Sequence, residues 1–171
     1  MKVIGLTGFS GSGKTTLLTA MVRLLGASGL TVSTVKHAHH GFDLDRPGKD
    51  SFRHRAAGAR EVLIAGERRW ALMHEVRGDE PTLPELLGHL APVDVVVVEG
   101  YKANPHPKIE VHRPALGHPA LWPGRDDIVA VASDEAISAG GRPVFDLNDA
   151  AVIVAWTLQF LRIDAPLQHS P

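Results

Sequence analysis

The apolar positions fall into short runs punctuated by glycine, proline and charge, and their spacing predicts alternating strands and helices. Lys2 to Thr7 reads as a short strand running into a glycine-rich turn. From Lys14 to about Leu25 the residues Leu17, Leu18, Met21, Val22 and Leu25 recur at helical spacing, and Gly26 and Gly29 stop that helix. Leu30 to Val35 alternates apolar and hydroxyl residues, as a second strand would. A polar, histidine-rich stretch follows from Lys36 to Pro47, and then a short helix from Asp50 to Ala57. Glu61 to Ala65 and Trp70 to Met73 predict two strands joined by a turn at Gly66-Glu67-Arg68. Thr82 to Leu90 predicts an amphipathic helix with Pro84 near its start. Val93 to Val98 ends in consecutive valines, the pattern of a strand buried on both faces of a parallel sheet. Lys108 to His112 and Ile128 to Ala132 predict two more strands across a Pro/Gly-rich loop. The last helix starts near Asn148 or Asp149, either of which can cap it, and runs to about Leu161.

This alternation predicts an α/β fold, three layers around a mainly parallel sheet, with the Glu61–Met73 hairpin as the piece outside a simple doubly wound arrangement. At 171 residues the chain suits one domain, expected over 1–162, with a C-terminal tail over 163–171. A domain of this size needs no disulfide or metal to fold. Lys and Arg number 18 against 19 for Asp and Glu, which argues against a nucleic-acid binder. No stretch approaches the roughly 18 apolar residues of a membrane span, and a strand begins at once, so a cytoplasmic protein without a membrane partner is expected. Cysteine is absent, which confines any metal site to oxygen and imidazole ligands.

The chemistry is concentrated in the first turn. Gly8-Phe9-Ser10-Gly11-Ser12-Gly13-Lys14-Thr15 matches the P-loop pattern in full, between an apolar strand and an amphipathic helix. Glycines let the backbone curl around a phosphate with several N–H groups turned inward, and the helix N-terminus adds its partial positive charge. Lys14 would reach the β- and γ-phosphates, and the Thr15 hydroxyl is placed for Mg²⁺. Such a loop needs an acidic group from a neighbouring strand. Asp94 and Glu99 both qualify, but they stand roughly 16 Å apart along a strand. Ligands gather at the carboxyl edge of a parallel sheet, so Glu99 is expected on the metal side and Asp94 at the strand entry.

The segment Lys36-His37-Ala38-His39-His40-Gly41-Phe42-Asp43-Leu44-Asp45 follows the second strand. Its imidazoles and carboxylates suit Zn²⁺ or Ni²⁺, or contacts to phosphate or an acidic substrate with Asp43 or Asp45 positioning Mg²⁺ or water; a plain solvated loop fits as well. Arg46, Lys49 and Arg53 add a local basic patch that suits one anionic ligand better than a nucleic-acid track.

Several strings together resemble the MobB family, the molybdopterin-guanine dinucleotide biosynthesis adaptor proteins. They are Gly11 to Leu17, Thr34-Val35-Lys36-His37, His39-His40 through Asp45 to Ser51, Ala57-Gly58-Ala59, Val98-Glu99-Gly100-Tyr101-Lys102 and Pro107 to Val111. The resemblance spans most of residues 1 to 161 and implies a homodimeric GTP-binding protein with at most slow GTPase activity. It also implies a separate guanylyltransferase partner of the MobA type, which joins GMP to molybdenum cofactor, and leaves molybdopterin itself as a further expected contact. By position, Gly8 to Thr16 would hold the phosphates, Thr15 and Glu99 would flank Mg²⁺, and His39, His40 and Asp45 match the family's loop motif. The chain lacks the Asn-Lys-x-Asp segment with which GTPases often read guanine. Asp134 occupies a comparable place after a late strand, where its carboxylate can accept from guanine N1–H and the 2-amino group or cap the following turn. GTP over ATP therefore rests mainly on the resemblance. A P-loop small-molecule kinase and a GTP-dependent metallochaperone using the His37–His40 loop are the alternatives.

Overall fold

Strand β1 (Lys2–Thr7) lies inside a six-stranded sheet built with β2 (Val32–Lys36), β5 (Val95–Glu99), β6 (Lys108–His112), β7 (Ile128–Ser133) and β8 (Val144–Asp146). The order is β2-β5-β1-β6-β7-β8, and every neighbouring pair is parallel. Strands β3 (Glu61–Ala65) and β4 (Trp70–His74) form a separate antiparallel hairpin. The expected α/β class with a mainly parallel sheet and an extra hairpin is what the chain forms. The structure, a computed structural model, describes residues 1–38 and 41–164, so His39, His40 and most of the expected tail lie outside the described residues. The chain divides into one compact unit, Met1–His37 with Leu90–Pro171, and a second, Ala38–His89.

In the first unit, Ile4, Leu6, Val95, Val97, Ile109, Val111, Ala130 and Ala132 point to one face of the sheet. They pack against Leu17, Met21 and Leu25 of helix α1 (Lys14–Ala27) and Ile153, Val154 and Leu161 of helix α4 (Ala150–Leu161). Removing this apolar surface from water is the main stabilising term for the unit. Asp149 caps α4, its carboxylate accepting from the Val152 N–H at 3.1 Å.

The opposite face is covered by irregular chain. His106 packs so closely that a Cβ on Gly5 would lie 2.5 Å from its Nε2. Lys108 and Glu110 point to this face and are fully buried. The Lys108 ammonium donates to Asp127 at 2.7 Å, to the His106 carbonyl at 2.9 Å and to the Asn104 carbonyl. The Glu110 carboxylate accepts from the Leu121 N–H at 2.9 and 3.0 Å, and burial pushes its carboxyl above the usual range. Burial also pushes His106 down to about 4, which keeps it neutral near pH 7.

The second unit holds α2 (Asp50–Ala56), the β3–β4 hairpin and α3 (Leu83–Gly88), with Val62 and Leu83 as its buried apolar side chains. Thr82 and Glu85 form a reciprocal capping box at the start of α3. No helix among the described residues is long and apolar enough to cross a membrane.

Candidate functional site

The chain leaves β1 through Gly8, whose φ is 141° and whose Cβ, were there one, would fall 2.4 Å from the Val111 carbonyl oxygen. Only glycine passes this close to β6. The loop then turns back through Ser10 and Gly11 and enters α1 at Gly13, where φ is 101°. Gly13 offers no side-chain cap, and the first turn of α1 carries no acidic residue. Its N–H groups and dipole are thus left to an outside anion, unlike those of α3 and α4.

Lys14 opens α1 and folds back over the loop, its ammonium donating to the Phe9 carbonyl at 2.7 Å. Burial holds its pKa below the usual lysine value; Glu99 opposes that shift, and the charges of Lys102 and Lys36 add to it. An incoming polyanion would relieve both the burial cost and the mutual repulsion of these lysines. The Thr15 hydroxyl donates to Glu99 Oε1 at 3.0 Å. Glu99 closes β5 at the carboxyl edge, while Asp94, at the other end, accepts from the Thr31 N–H at 2.8 Å and its hydroxyl at 2.6 Å. The two carboxylates thus stand at opposite ends of β5, with Glu99 alone beside Thr15. Ser12 is buried, and its hydroxyl and that of Thr7 have no hydrogen-bond partner among the described residues. Thr16 is exposed in the first turn of α1.

Asp134 joins this group through a residue that sequence reasoning missed. Arg113, one position beyond β6, donates from Nε to the Ser12 carbonyl at 3.0 Å and from Nη1 to Asp134 Oδ2 at 2.6 Å. Its Nη2 stands 3.6 Å from where a Cβ on Gly13 would lie. The turn after β7 is capped by Ser133, whose hydroxyl accepts the Glu135 N–H at 3.2 Å, so Asp134 is not held as that cap. Asp134 Oδ1 is buried without a partner among the described residues, an acceptor suited to a ligand donor. The carboxyl-edge argument that selected Glu99 applies equally to Arg113 and would have found it. Phe9 stacks on His118 with ring centroids 4.3 Å apart, another contact with no sequence signal.

Asp45 belongs to the second unit. Its Oδ1 accepts from the Arg46 N–H at 3.0 Å and the Ser51 hydroxyl at 2.8 Å, and its Oδ2 lies 3.7 Å from Arg55 Nε. Arg55 also pairs with Asp43 at 3.0 Å and Glu75 at 3.2 Å. Among the described residues no group of three or more His, Asp or Glu is arranged to hold a metal ion. Thr15 and Glu99 are oxygen donors already in contact, which fits a hard divalent cation supported by phosphate oxygens.

A family model described as molybdopterin guanine dinucleotide synthesis protein B matches residues 3–134. The chain is 39% identical over 153 residues to a molybdopterin-guanine dinucleotide biosynthesis adapter protein of Haemophilus influenzae, covering 85% of this chain and 82% of that one. It is 33% identical over 164 residues to the Escherichia coli protein of the same description, covering 94% and 93%. Among solved structures, a molybdopterin-guanine biosynthesis protein B superposes with a TM-score of 0.73 at 29% identity, over 92% of this chain and 99% of that one. A MobB homolog from Bacillus stearothermophilus superposes with a TM-score of 0.67 at 29% identity, over 95% and 99%. With the glycine-rich loop, the Glu99 strand end and these similarities in agreement, the chain belongs to the MobB family of molybdopterin-guanine dinucleotide synthesis proteins.

Proposed function

We propose that this chain is a GTP-binding adaptor in molybdenum cofactor biosynthesis, assisting a MobA-type guanylyltransferase in making the guanine dinucleotide form. The observation that carries the nucleotide reading is the contact of Thr15 with Glu99 at the mouth of an uncapped, glycine-entered helix. In this reading the inward N–H groups of Gly8 to Thr16 and the Lys14 ammonium hold the phosphates. Thr15 and Glu99 hold Mg²⁺, which when bound neutralises phosphate charge. His39, His40 and Asp45 remain assigned to the nucleotide- or substrate-facing loop, and molybdopterin to the partners, by family resemblance. Slow hydrolysis accords with the composition, since glutamine, the residue that often orients the attacking water, stands only at 159 and 168. A cytoplasmic location follows from the same reading.

Asp134 is the proposed guanine reader, with Arg113 holding it against the loop. Calorimetry with Mg·GTP and Mg·ATP is expected to show tighter GTP binding, and Asp134→Ala is expected to erase most of that preference. Equal affinities in the unmodified chain would remove guanine selectivity, and an unchanged preference in the variant would clear Asp134 of the role. Stimulation of a guanylyltransferase by the loaded chain tests the adaptor role itself.

The proposed homodimer surface is the hairpin. Leu63 faces Leu72 and Ala65 faces Trp70 across β3 and β4, so these side chains share one face. Leu63, Leu72 and Trp70 are 60%, 45% and 66% exposed, an apolar face uncommon on a monomer. Leu72→Asp is expected to convert a dimer into a monomer in sedimentation equilibrium; a dimer of unchanged strength would place the interface elsewhere.

A further inference from the structure

Beyond Glu99 the chain turns through two left-handed residues, Gly100 with φ 97° and Tyr101 with φ 48°. A Cβ on Gly100 would lie 2.8 Å from that of His37, and the Tyr101 ring packs 4.6 Å from the His37 ring. A non-glycine residue held at positive φ is backbone strain maintained by its surroundings. The turn delivers Lys102, whose ammonium stands 5.0 Å from the centre of the Phe9 ring and close enough to Lys14 to repel its charge. The nucleotide reading uses Lys102 only through its repulsion of Lys14 and gives it no contact of its own.

Lys102 is also a wall of a cavity of about 470 Å³, completed by Ala103, Pro105, Arg125 and Asp127. Arg125 Nε donates to Asp127 Oδ1 at 3.1 Å, and its Nη2 donates to Asp127 Oδ2 at 2.6 Å and to the Lys102 carbonyl. Its Nη1 makes no hydrogen bond among the described residues. Asp127 also accepts from the buried Lys108 at 2.7 Å. Lys102 and Arg125 line the cavity beside the single carboxylate of Asp127, which Lys108 pairs from the buried side.

We propose that this cavity is a second anion site beside the glycine-rich loop, and that it takes a phosphomonoester through Lys102 and the Nη1 of Arg125. A phosphomonoester carries roughly −1.5 to −2 charge near pH 7, and the two cations lining the cavity favour such a dianion over a neutral ligand. The cavity is far larger than a phosphate group requires, and Ala103 and Pro105 give the organic portion an apolar wall. A nucleic-acid track would need such charge spread over a surface, and the chain as a whole is at −1. The proposal does not depend on which nucleotide the loop binds.

The test is titration of the ¹⁵N-labelled full chain with phenyl phosphate and, separately, inorganic phosphate, followed by amide chemical shifts. Lys14→Ala weakens the neighbouring phosphate loop and so isolates the second site. The expected result is saturable movement of the Ala103, Arg125 and Asp127 amides that persists in Lys14→Ala. Binding should weaken by roughly tenfold or more in Lys102→Ala, the scale of one lost charge-assisted contact. Phenyl phosphate should bind tighter than inorganic phosphate. Shifts confined to residues 8–16, loss of the response in Lys14→Ala, or undiminished affinity in Lys102→Ala would overturn the site. Equal affinity for the two probes would overturn the phosphomonoester assignment. Lys102→Gln gives the same readout with more of the side-chain stem retained.

Discussion

Lys14→Ala is expected to leave no measurable Mg·GTP binding in calorimetry while the chain stays folded. The ammonium is half-buried over the loop and donates to the Phe9 carbonyl. A bound triphosphate would offer it stronger acceptors, and each hydrogen bond between charged partners contributes about 1.5–3 kcal/mol. Losing contacts to both the β- and γ-phosphates therefore weakens binding by roughly a hundredfold or more. Alanine has high helix propensity and stands at the first position of α1, so the helix should survive. Circular dichroism checks that the fold is retained. An affinity equal to that of the unmodified chain would end the reading of this loop as a phosphate site.

Asp127→Ala is expected to destabilise the chain by about 3–5 kcal/mol, the usual cost of leaving a buried charge without its partner. Lys108 is fully buried, and Asp127 is the carboxylate it shares with Arg125. The Asn104 and His106 carbonyls would remain to Lys108, but neither carries a compensating charge. Urea unfolding at pH 7 measures the loss, and a change below about 1 kcal/mol, the scale of an exposed pair, would show that the pair is not the anchor its burial implies. Hydrogen bonding from Arg125, followed by Lys108, holds the Asp127 carboxyl far below the usual range. The folded pKa lies below the unfolded one, so this stabilisation is present above the unfolded carboxylate pKa of roughly 3.9 and disappears as pH falls towards the folded value. The unmodified chain and the variant should therefore converge in strong acid.

The regular elements were legible because each obeys one dominant period or one cap. Lys2–Thr7, Glu61–Ala65 and Lys108–His112 have the expected bounds, and α1 runs only to Ala27 beyond the expected Leu25 before Gly29 ends it. Thr82, read as the first helical residue, instead caps α3. Strand β8 was not legible: Val144–Asp146 is three residues long, too short to show alternation, and exists because it pairs with β7 at the sheet edge. The burial of β6 was hidden for a different reason. Lys108, Glu110 and His112 alternate with apolar residues as a solvent-facing strand would, yet Lys108 and Glu110 are fully buried. Distant partners, Asp127 and the Leu121 N–H, make that possible, and no local pattern records them. The same division applies to the site. A motif with a fixed spacing announced Lys14 and Thr15, and strand-end geometry selected Glu99. Arg113 stands at the same kind of strand end, but its partners there, residues 12 and 134, meet it only once the sheet is assembled.

The sheet order also sets the order in which the chain can fold. β1 is made first but lies between β5 and β6, with Lys2 beside Val95 and Gly5 beside Lys108. During synthesis the glycine-rich loop therefore emerges long before either strand that flanks it. The 38–89 segment, with its hairpin and capped helix, can complete its own hydrogen bonds in that interval. Closing β1 onto β5 then brings together distant stretches of chain, the kind of contact that slows folding. A ribosome-bound chain that ends before Val95 has the phosphate-loop sequence but neither Glu99 nor the sheet that gives the loop its shape.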